Sequence, residues 1–213
     1  MVLERRVDDP FDRHFRPGEA LEWLRSHGLA PENEDTPPYR PIWVFGYGSL
    51  MWNPGIRHDH AEMVLLRGYH RRFCVLSHRY RGTPERPGLV LGLDRGGACW
   101  GMAFRIPAEH VAECAEYLWY REMISEVYKP TLISLNLRDG PQRAVTFRVR
   151  RDHHQYYPGH DLDEVADIIA RSVGPRGANV EYLDQTVCHL RQMKIRDPQL
   201  ETLWHSVQGI RSG

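Results

Sequence analysis

The sequence lacks the excess charge and the long apolar runs that mark nucleic-acid-binding and membrane proteins. Its 213 residues include 28 basic and 28 acidic side chains, so the formal net charge is zero. This balance provides no electrostatic footprint for nucleic acid or an anionic membrane. No run of about 18 apolar residues predicts a membrane span, and the N-terminus lacks the apolar stretch of a secretory signal. We therefore predict a cytoplasmic protein with neither a membrane nor a nucleic-acid partner.

Paired cysteines are also absent. The four cysteines, Cys74, Cys99, Cys114 and Cys188, are widely spaced, and none forms a C-x-x-C pair. Such spacing predicts reduced core residues rather than a redox or metal centre. The sequence contains no convincing Cys-His arrangement for nucleophilic catalysis, so a catalytic cysteine is not favoured.

A glycine-rich loop is the most distinctive stretch that is present. The apolar run at residues 42–45 predicts a buried strand, and it ends abruptly at Gly46-Tyr47-Gly48-Ser49-Leu50-Met51. Glycines let the backbone approach a ligand closely, so amides around Gly48, Ser49 and Leu50 can face one small acidic or carbonyl-bearing molecule. A tight turn in a sheet explains the same pattern without a ligand.

Three better-known loop motifs are excluded. A nucleophile elbow needs glycines two residues before and after its serine, whereas Tyr47 and Met51 occupy those positions around Ser49. The three-glycine spacing of a dinucleotide loop and the lysine of a P-loop are both missing. The loop therefore predicts neither an acyl-enzyme nucleophile nor a nucleotide site.

The order of the predicted elements indicates an α+β fold, with strands first and helices last. Strand pairs are predicted within residues 61–77, turning at Arg67-Gly68, and within residues 89–104, turning at Arg95-Gly96-Gly97. Another pair turns at Asp139-Gly140-Pro141. Two helices are predicted near the C-terminus, the first capped by Asp161 with Leu162 on its apolar face and the second running over residues 180–190.

The helix that opens near Pro107 predicts an inward-facing carboxylate. Its apolar residues recur with the spacing of a buried stripe: Val111, Cys114, Ala115, Leu118 and Trp119. Glu122 follows Leu118 by four residues, so it continues that stripe. Partial burial and a position near the helix C-terminus both raise the pKa of a carboxyl group. Two roles remain open for Glu122, a catalytic base and a buried salt bridge, and we expect the Arg121 side chain to diverge from it and hold the fold.

Three further groups of residues are secondary candidates. The polar loop at residues 77–88 is long enough to act as a lid or to be a mobile hairpin. Glu126 is a carboxylate close to Glu122 in sequence. Histidines cluster at His58-Asp59-His60 and at His153-His154 with His160, but adjacent histidines are expected to point apart and no zinc motif supports them.

Five blocks, in order along the chain, resemble the ChaC-like γ-glutamylcyclotransferase family. They are Phe45-Gly46-Tyr47-Gly48-Ser49-Leu50-Met51-Trp52-Asn53-Pro54, Gly68-Tyr69-His70-Arg71-Arg72-Phe73-Cys74, Arg81-Gly82-Thr83-Pro84-Glu85-Arg86-Pro87-Gly88, Tyr117-Leu118-Trp119-Tyr120-Arg121-Glu122 and Asn179-Val180-Glu181-Tyr182-Leu183. The resemblance covers residues from about 41 to near the C-terminus. It implies a catalytic domain at 41–213, after an extension at 1–40, with a small bent mixed sheet or barrel and flanking and C-terminal helices.

The resemblance also implies a reaction and a site. In this family the α-amine of a γ-glutamyl group attacks its own γ-carbonyl, which releases 5-oxoproline and an amine. The family places its general base at the glutamate that matches Glu122. The implied substrate-binding residues are Gly46, Tyr47, Gly48, Ser49, Leu50, Met51, Arg81 and Tyr182, with Thr83 and Glu85 as supporting groups. Family members commonly have a glycine before a tyrosine just after the base, whereas residues 123–128 here read Met-Ile-Ser-Glu-Val-Tyr.

Glutathione is the substrate that the resemblance favours, with no metal and no cofactor. The alternatives are a cyclotransferase for other γ-glutamyl compounds, a non-catalytic γ-glutamyl-binding regulator linked to cation transport, and a metal-dependent hydrolase built on the histidine loops. The sequence does not indicate an oligomeric state.

Overall fold

A five-stranded mixed sheet forms the centre of the protein. The computed structural model describes residues 16–31, 39–123 and 125–212. The strands of this sheet are β1 (Ile42–Gly46), β2 (His60–Ser77), β3 (Gly88–Ile106), β4 (Tyr128–Leu137) and β5 (Gly140–Val149), in the order β2-β3-β1-β5-β4. Strand β1 runs parallel to β5 and antiparallel to β3. The sheet is curled into a half-barrel, so the predicted α+β class with a bent mixed sheet is confirmed.

Helices flank this sheet. They are α1 (Glu19–Ser26), α2 (Val111–Glu122), α3 (Leu162–Arg171), α4 (Asn179–Gln192) and α5 (Pro198–Ser212). A short antiparallel pair, β6 (Val173–Gly174) with β7 (Gly177–Ala178), separates α3 from α4. None of the helices in the described residues is both long and apolar enough to cross a membrane.

The long strands β2 and β3 correct two predictions of a turn. Residues 61–77 and 89–104 each belong to one continuous strand, and the two strands pair antiparallel along their full length. The glycines that suggested turns lie at matching positions, where the register shifts between Arg67 and Tyr69. Gly68, Gly96 and Gly97 have φ values of +83°, +101° and +68°. They therefore form a bulge that bends a hairpin arm and do not reverse the chain.

Strand β1 is buried on both faces and separates two hydrophobic clusters. Val44 packs towards α1 and α2, whereas Phe45 packs towards β2, β3 and the C-terminal helices. This two-sided burial explains the continuous apolar run that predicted the strand. Because β1 is central and ends at Gly46, it delivers the glycine-rich loop to the edge shared by both clusters.

The C-terminal helices largely follow their predicted patterns. Asp161 caps α3 by accepting a hydrogen bond from the Asp163 amide at 2.9 Å, but Leu162 is 40% exposed and does not share the buried face. The buried residues of α4 include Val180, Leu183, Val187 and Leu190, as predicted. Helix α5 was not predicted, although Leu200, Leu203 and Val207 have the i, i+3, i+7 spacing of a buried stripe.

Helix α1 covers the outer side of α2. Ala20 and Leu24 are buried there, and the rings of Trp23 and Trp119 lie 5.4 Å apart. The Gly18 amide donates to the Glu116 carboxylate at 3.2 Å. The described part of the predicted extension therefore packs against the body of the protein, while residues 1–15 and 32–38 lie outside the described residues.

A buried asparagine joins α4 to the sheet. Asn179 is fully buried, its Oδ1 accepts from the Leu89 amide at 2.6 Å, and its Nδ2 donates to the Leu89 carbonyl at 2.7 Å. The side chain therefore replaces the partner that a neighbouring strand would give Leu89. It places α4 beside the start of β3, directly after the polar loop.

We predict that Asn179→Ala lowers the free energy of unfolding by about 2–5 kcal/mol, because the amide and carbonyl of Leu89 lose their partners in a buried environment. Urea denaturation measures this change. Asn136→Ala, at an exposed position of β4, is the matched control and is expected to stay within about 0.5 kcal/mol of the parent protein. Equal effects of the two substitutions would contradict the role given to Asn179.

Candidate active site

The glycine-rich loop is a compact turn with buried anchors. After Gly46 the chain forms a 3-10 helix at Ser49–Met51, and the Met51 amide donates to the Gly48 carbonyl at 2.8 Å. The side chains of Leu50 and Met51 are buried in opposite hydrophobic clusters. A Cβ at Gly46 would lie 2.8 Å from the Cβ of Leu50, so the turn requires glycine there. The Met51 amide is hydrogen-bonded within the loop. The amides of Ser49 and Leu50 lie in the first turn of the 3-10 helix, where amides have no partner within the helix, so they can bind a ligand.

Arg71 supports this loop from inside the protein. Its side chain is almost completely buried, and Nη1 donates to the Tyr47 carbonyl at 2.7 Å. The second guanidinium nitrogen donates to the Trp100 carbonyl, and Nε lies 3.0 Å from a carboxylate oxygen of Asp197. Asp197 precedes α5 and accepts from the Leu200 amide at 3.3 Å. One arginine of β2 therefore links the loop to the last helix.

Arg121 holds the loop from its other side. Its Nη1 donates to the Asn53 carbonyl at 2.7 Å, and its Nη2 donates to the Ser49 hydroxyl at 2.9 Å. Its Nε lies 3.2 Å from Oε1 of Glu122. The expectation that the Arg121 and Glu122 side chains diverge is therefore wrong. The two adjacent residues form an ion pair at the end of α2, because Arg121 folds back between the loop and the carboxylate.

Glu122 ends α2 as a partly enclosed carboxylate. Its side chain is 16% exposed, on the helix whose predicted apolar stripe is buried. Burial raises the pKa of Glu122, and the positive charge of Arg121 opposes that rise. The result is a carboxyl group whose pKa lies above its ordinary value and which remains accessible to a small molecule. A carboxyl group with a raised pKa can act as a general acid or a general base.

The charge of this carboxylate reaches three buried or partly buried tyrosines. The negative charge of Glu122 adds to burial in raising the pKa values of Tyr47, Tyr128 and Tyr182, that of Tyr182 to about 12. All three therefore remain neutral phenols that can donate hydrogen bonds. Tyr128 donates to the Leu91 carbonyl at 2.6 Å. The sequence did not predict that Tyr128 is affected by the charge of Glu122. Tyr128 is the tyrosine at the position where the family pattern and this sequence diverge.

Arg81 approaches the site from the polar loop. Its guanidinium lies 5.7 Å from the ring centre of Tyr182, donates to the Ala178 carbonyl at 3.1 Å and pairs with Glu181 at 3.3 Å. The structure thus brings Arg81 and Tyr182 together, as the prediction requires. The loop is fixed at its base, since the Arg176 amide of the β6–β7 connection donates to the Tyr80 carbonyl at 3.0 Å.

The tip of that loop is separate from the base. Pro84, Glu85 and Arg86 are exposed, and the Arg86 amide donates to the Thr83 hydroxyl at 3.2 Å. Hydrogen bonds from the backbone of Glu85 itself and from Thr83 lower the pKa of Glu85. Both predicted supporting side chains are thus engaged within the tip of the loop.

A family model described as ChaC-like protein matches residues 42–210. The chain belongs to this family. A glutathione-specific γ-glutamylcyclotransferase of Escherichia coli (strain K12) is 37% identical over 196 residues, which cover 90% of this chain and 85% of the relative. One of Schizosaccharomyces pombe is 34% identical over 178 residues, covering 73% of this chain and 86% of the relative.

Solved structures agree with this assignment. A γ-glutamyl cyclotransferase from yeast, described as specific to glutathione, superposes with a TM-score of 0.71 at 26% identity, covering 80% of this chain and 96% of the yeast chain. The alignment with the E. coli relative spans more of this chain than residues 41–213 contain, so it reaches into the first 40 residues. The family model itself begins at residue 42, as the resemblance in the sequence predicted.

The rival carboxylate in this ChaC-like protein faces a different region. Glu126 has a positive φ of 56° in the turn before β4. Its charge acts on Arg150 and His153, whereas Glu122 acts on the three tyrosines. Glu126 thus lies towards the end of β5, so the geometry favours Glu122 as the catalytic carboxylate.

The histidine clusters of the ChaC-like protein make local contacts. His60 lies 3.5 Å from the carboxylate of Glu62 and packs edge-on against Trp43. The rings of His153 and His154 lie 4.3 Å apart, so the expectation that adjacent histidines point apart is wrong for this pair. Among the residues that the structure describes, no three His, Cys, Asp or Glu side chains are arranged to hold a metal ion.

The four cysteines are free. Cys74, Cys99 and Cys114 are buried as predicted, whereas Cys188 is exposed on α4, contrary to prediction. Burial raises the pKa of Cys74 to about 12. This thiol is therefore protonated at neutral pH and is a poor nucleophile.

We predict that Arg71→Met lowers the free energy of unfolding by about 3–5 kcal/mol, because Asp197 and the carbonyls of Tyr47 and Trp100 lose a buried partner. Arg67→Met, at an exposed position of the same strand, is the matched control and is expected to change stability by less than about 0.5 kcal/mol. Urea denaturation compares the two variants. A parent-like Arg71→Met variant would show that the loop does not depend on this side chain.

Proposed function

We propose that this ChaC-like protein cleaves glutathione into 5-oxoproline and Cys-Gly, with Glu122 as the general acid and base. The observation that carries the proposal is the partly exposed Glu122 carboxylate, whose pKa is raised by burial. Arg121 links it to the glycine-rich loop, and its charge acts on three tyrosines. The relatives from E. coli and S. pombe, both called glutathione-specific γ-glutamylcyclotransferases, support the reaction and its substrate.

The reaction needs proton transfer and correct positioning, with no nucleophile from the protein. The α-amine of the γ-glutamyl group attacks the γ-carbonyl, forming a new C–N bond in a five-membered ring. The amide bond to cysteine then breaks. Free α-amines have a pKa near 8, so most are protonated at neutral pH and must lose a proton before attack. Glu122 accepts a proton from the amine and delivers one to the departing nitrogen.

The glycine-rich loop supplies the complementary contacts. The amides of Ser49 and Leu50 and the flanking backbone at Gly46, Gly48 and Met51 bind the glutamyl portion of the substrate. Two buried anchors and two arginines hold this loop in place, which supports pre-organised stabilisation of the carbonyl oxygen as it gains charge. Such stabilisation commonly contributes about 3 kcal/mol to lowering the barrier.

Arg81, Tyr47 and Tyr182 complete the proposed binding site. Arg81 adds a positive charge next to Tyr182, which suits a carboxylate of glutathione. The phenols of Tyr47 and Tyr182 remain protonated and can donate to the glutamyl group. A cytoplasmic location, the absence of a nucleic-acid partner and the division at residue 41 stay predictions of the sequence.

We predict that Glu122→Gln lowers the rate of 5-oxoproline formation from glutathione by about 100- to 10,000-fold, the usual contribution of a general base. Glu113→Gln is the matched control, because this residue of α2 is 70% exposed and should leave the rate unchanged. Mass spectrometry follows 5-oxoproline and Cys-Gly, with a γ-glutamyl amino acid as a parallel substrate and EDTA in a parallel sample.

The stability of the Glu122→Gln variant shows whether a loss of activity comes from the missing base or from misfolding. The pKa of Glu122 is higher in the folded protein than in the unfolded chain. Protonated Glu122 therefore stabilises the folded protein below the unfolded pKa, and this stabilisation is lost as the pH rises through the folded pKa. The neutral glutamine should therefore fold well at pH 7. No product from any γ-glutamyl compound with folded parent protein would favour the regulator, and loss of activity in EDTA would favour a metal-dependent hydrolase.

The pH dependence tests the ion pair of Arg121 with Glu122. Only ionised Glu122 accepts a proton, so kcat/KM falls as the pH drops through its pKa, above the range of an ordinary glutamate. Arg121→Gln removes the charge that lowers this pKa, so the acid limb of the profile should move to higher pH.

Arg121→Lys is the matched variant for that profile. It keeps the charge and should leave the acid limb near that of the parent protein. Its kcat should fall, because an ammonium cannot reproduce the forked contacts to Ser49 and Asn53. Superimposable acid limbs for the parent and Arg121→Gln would refute the influence of Arg121 on Glu122.

A further inference from the structure

Three basic residues lie near one another at an end of the sheet. Lys129 of β4 lies directly opposite Arg148 of β5 in the antiparallel register. Side chains of directly opposed residues point to the same face, here the face of Ile133 and Ala144. A hydrogen bond from Arg151 to the Arg95 carbonyl at 3.2 Å brings the bulge of β3 beside these strand ends. We call Arg95, Lys129 and Arg148 the basic cluster.

The basic cluster has no matching carboxylates. Within residues 16–31, 39–123 and 125–212, no Asp or Glu forms an ion pair with any of its three members. The two nearby acids are engaged elsewhere. Asp94 is buried and binds Arg151 at 2.6 Å and the Tyr156 hydroxyl at 2.9 Å, and Asp152 binds Arg150 at 3.1 Å.

Burial and the neighbouring positive charges both oppose the protonated forms of two members of the cluster. Burial, followed by the charges of Arg148 and Arg95, lowers the pKa of Lys129. Burial and the charge of Arg95 likewise lower the pKa of Arg148, and Asp152 opposes both shifts. Like charges at directly opposed strand positions destabilise a sheet. The free protein therefore carries a local cost that an anion would remove.

We propose that Arg95, Lys129 and Arg148 bind a small polyphosphate anion at a site separate from the glutathione site. Three cations require more than one negative charge, arginine forks match phosphate oxygens in pairs, and lysine adds a point charge. Lys129 and the neighbouring Tyr128 point to opposite faces of β4. The proposed anion therefore occupies the face away from the phenol that lies beside Glu122.

The two lysines of the sequence, Lys129 and Lys194, allow a direct test. A limiting dose of an amine-acylating reagent is added with or without tripolyphosphate, and peptide mass spectrometry quantifies acylation at each lysine. At a tripolyphosphate concentration ten times its Kd, modification of Lys129 should fall about ten-fold by mass action. Modification of the exposed Lys194, which follows α4, should stay unchanged.

Sodium chloride at the same ionic strength separates binding from screening. The proposal requires that chloride protect Lys129 much less than tripolyphosphate does, and that Arg148→Gln abolish the protection. Equal protection by chloride, or full protection retained in Arg148→Gln or in Arg95→Gln, would overturn it. A parallel series with ATP should reproduce the protection if the phosphate chain is the recognised group, and failure of ATP to protect would overturn that assignment.

Thermal unfolding provides a second readout. Lys129→Gln should raise the Tm at low salt, because it removes repulsion, and should abolish the rise in Tm that tripolyphosphate gives the parent protein. Gln192→Ala, at an exposed position of α4, is the control and should keep that rise. A parent protein whose Tm does not respond to tripolyphosphate would also overturn the proposal.

Discussion

The guanidinium of Arg121 is the contact on which the geometry of the site depends. It reaches the Ser49 hydroxyl, the Asn53 carbonyl and the carboxylate of Glu122 from a single side chain. The glycine-rich loop and the proposed base are therefore held together by one side chain. Because the reaction closes a ring within one substrate molecule, such positioning contributes directly to lowering the barrier.

Burial and charge act on the base in opposite directions. The enclosure of Glu122 raises its pKa, while Arg121 keeps the ionised form accessible. With a hydrophobic neighbour in place of Arg121, the pKa of the carboxyl group would be higher. A smaller fraction of it would then be ionised at a given pH and able to accept a proton from an amine. The nearby phenols stay neutral for the same reason, since burial and the charge of Glu122 both oppose their ionisation. Burial is thus the main influence on the protonation of the site, and the charge of Glu122 adds to it at the tyrosines.

The rest of the fold brings distant segments to this point. Strand β1 carries the loop, Arg71 of β2 ties the loop to Asp197 before α5, and Asn179 fixes α4 to the start of β3. Tyr182 therefore reaches the site from a helix that follows β1 by more than 130 residues. These polar links are buried, so each one is costly to break and leaves its neighbours little freedom.

Periodicity and chain order in the sequence alone predicted much of this arrangement. The apolar run before Gly46 predicted β1, and the stripe ending at Glu122 placed a carboxylate on the inner face of α2, because both patterns depend on local backbone geometry. Local patterns could not distinguish a bulge at Gly68 and Gly96 from a turn, since both need positive φ. Only the pairing of β2 with β3 along their full length decided between them.

The residue types at the loop and in α2, and their resemblance to ChaC-like proteins, determined the family, the reaction expected of it and the residue proposed as its base. The tertiary structure decided how those residues meet. It turned Arg121 towards Glu122, placed Tyr128 beside them and brought Arg71 beneath the loop. Contacts of this kind join residues far apart in the chain, or side chains whose rotamers depend on those distant neighbours. Neither helical spacing nor strand alternation carries that information.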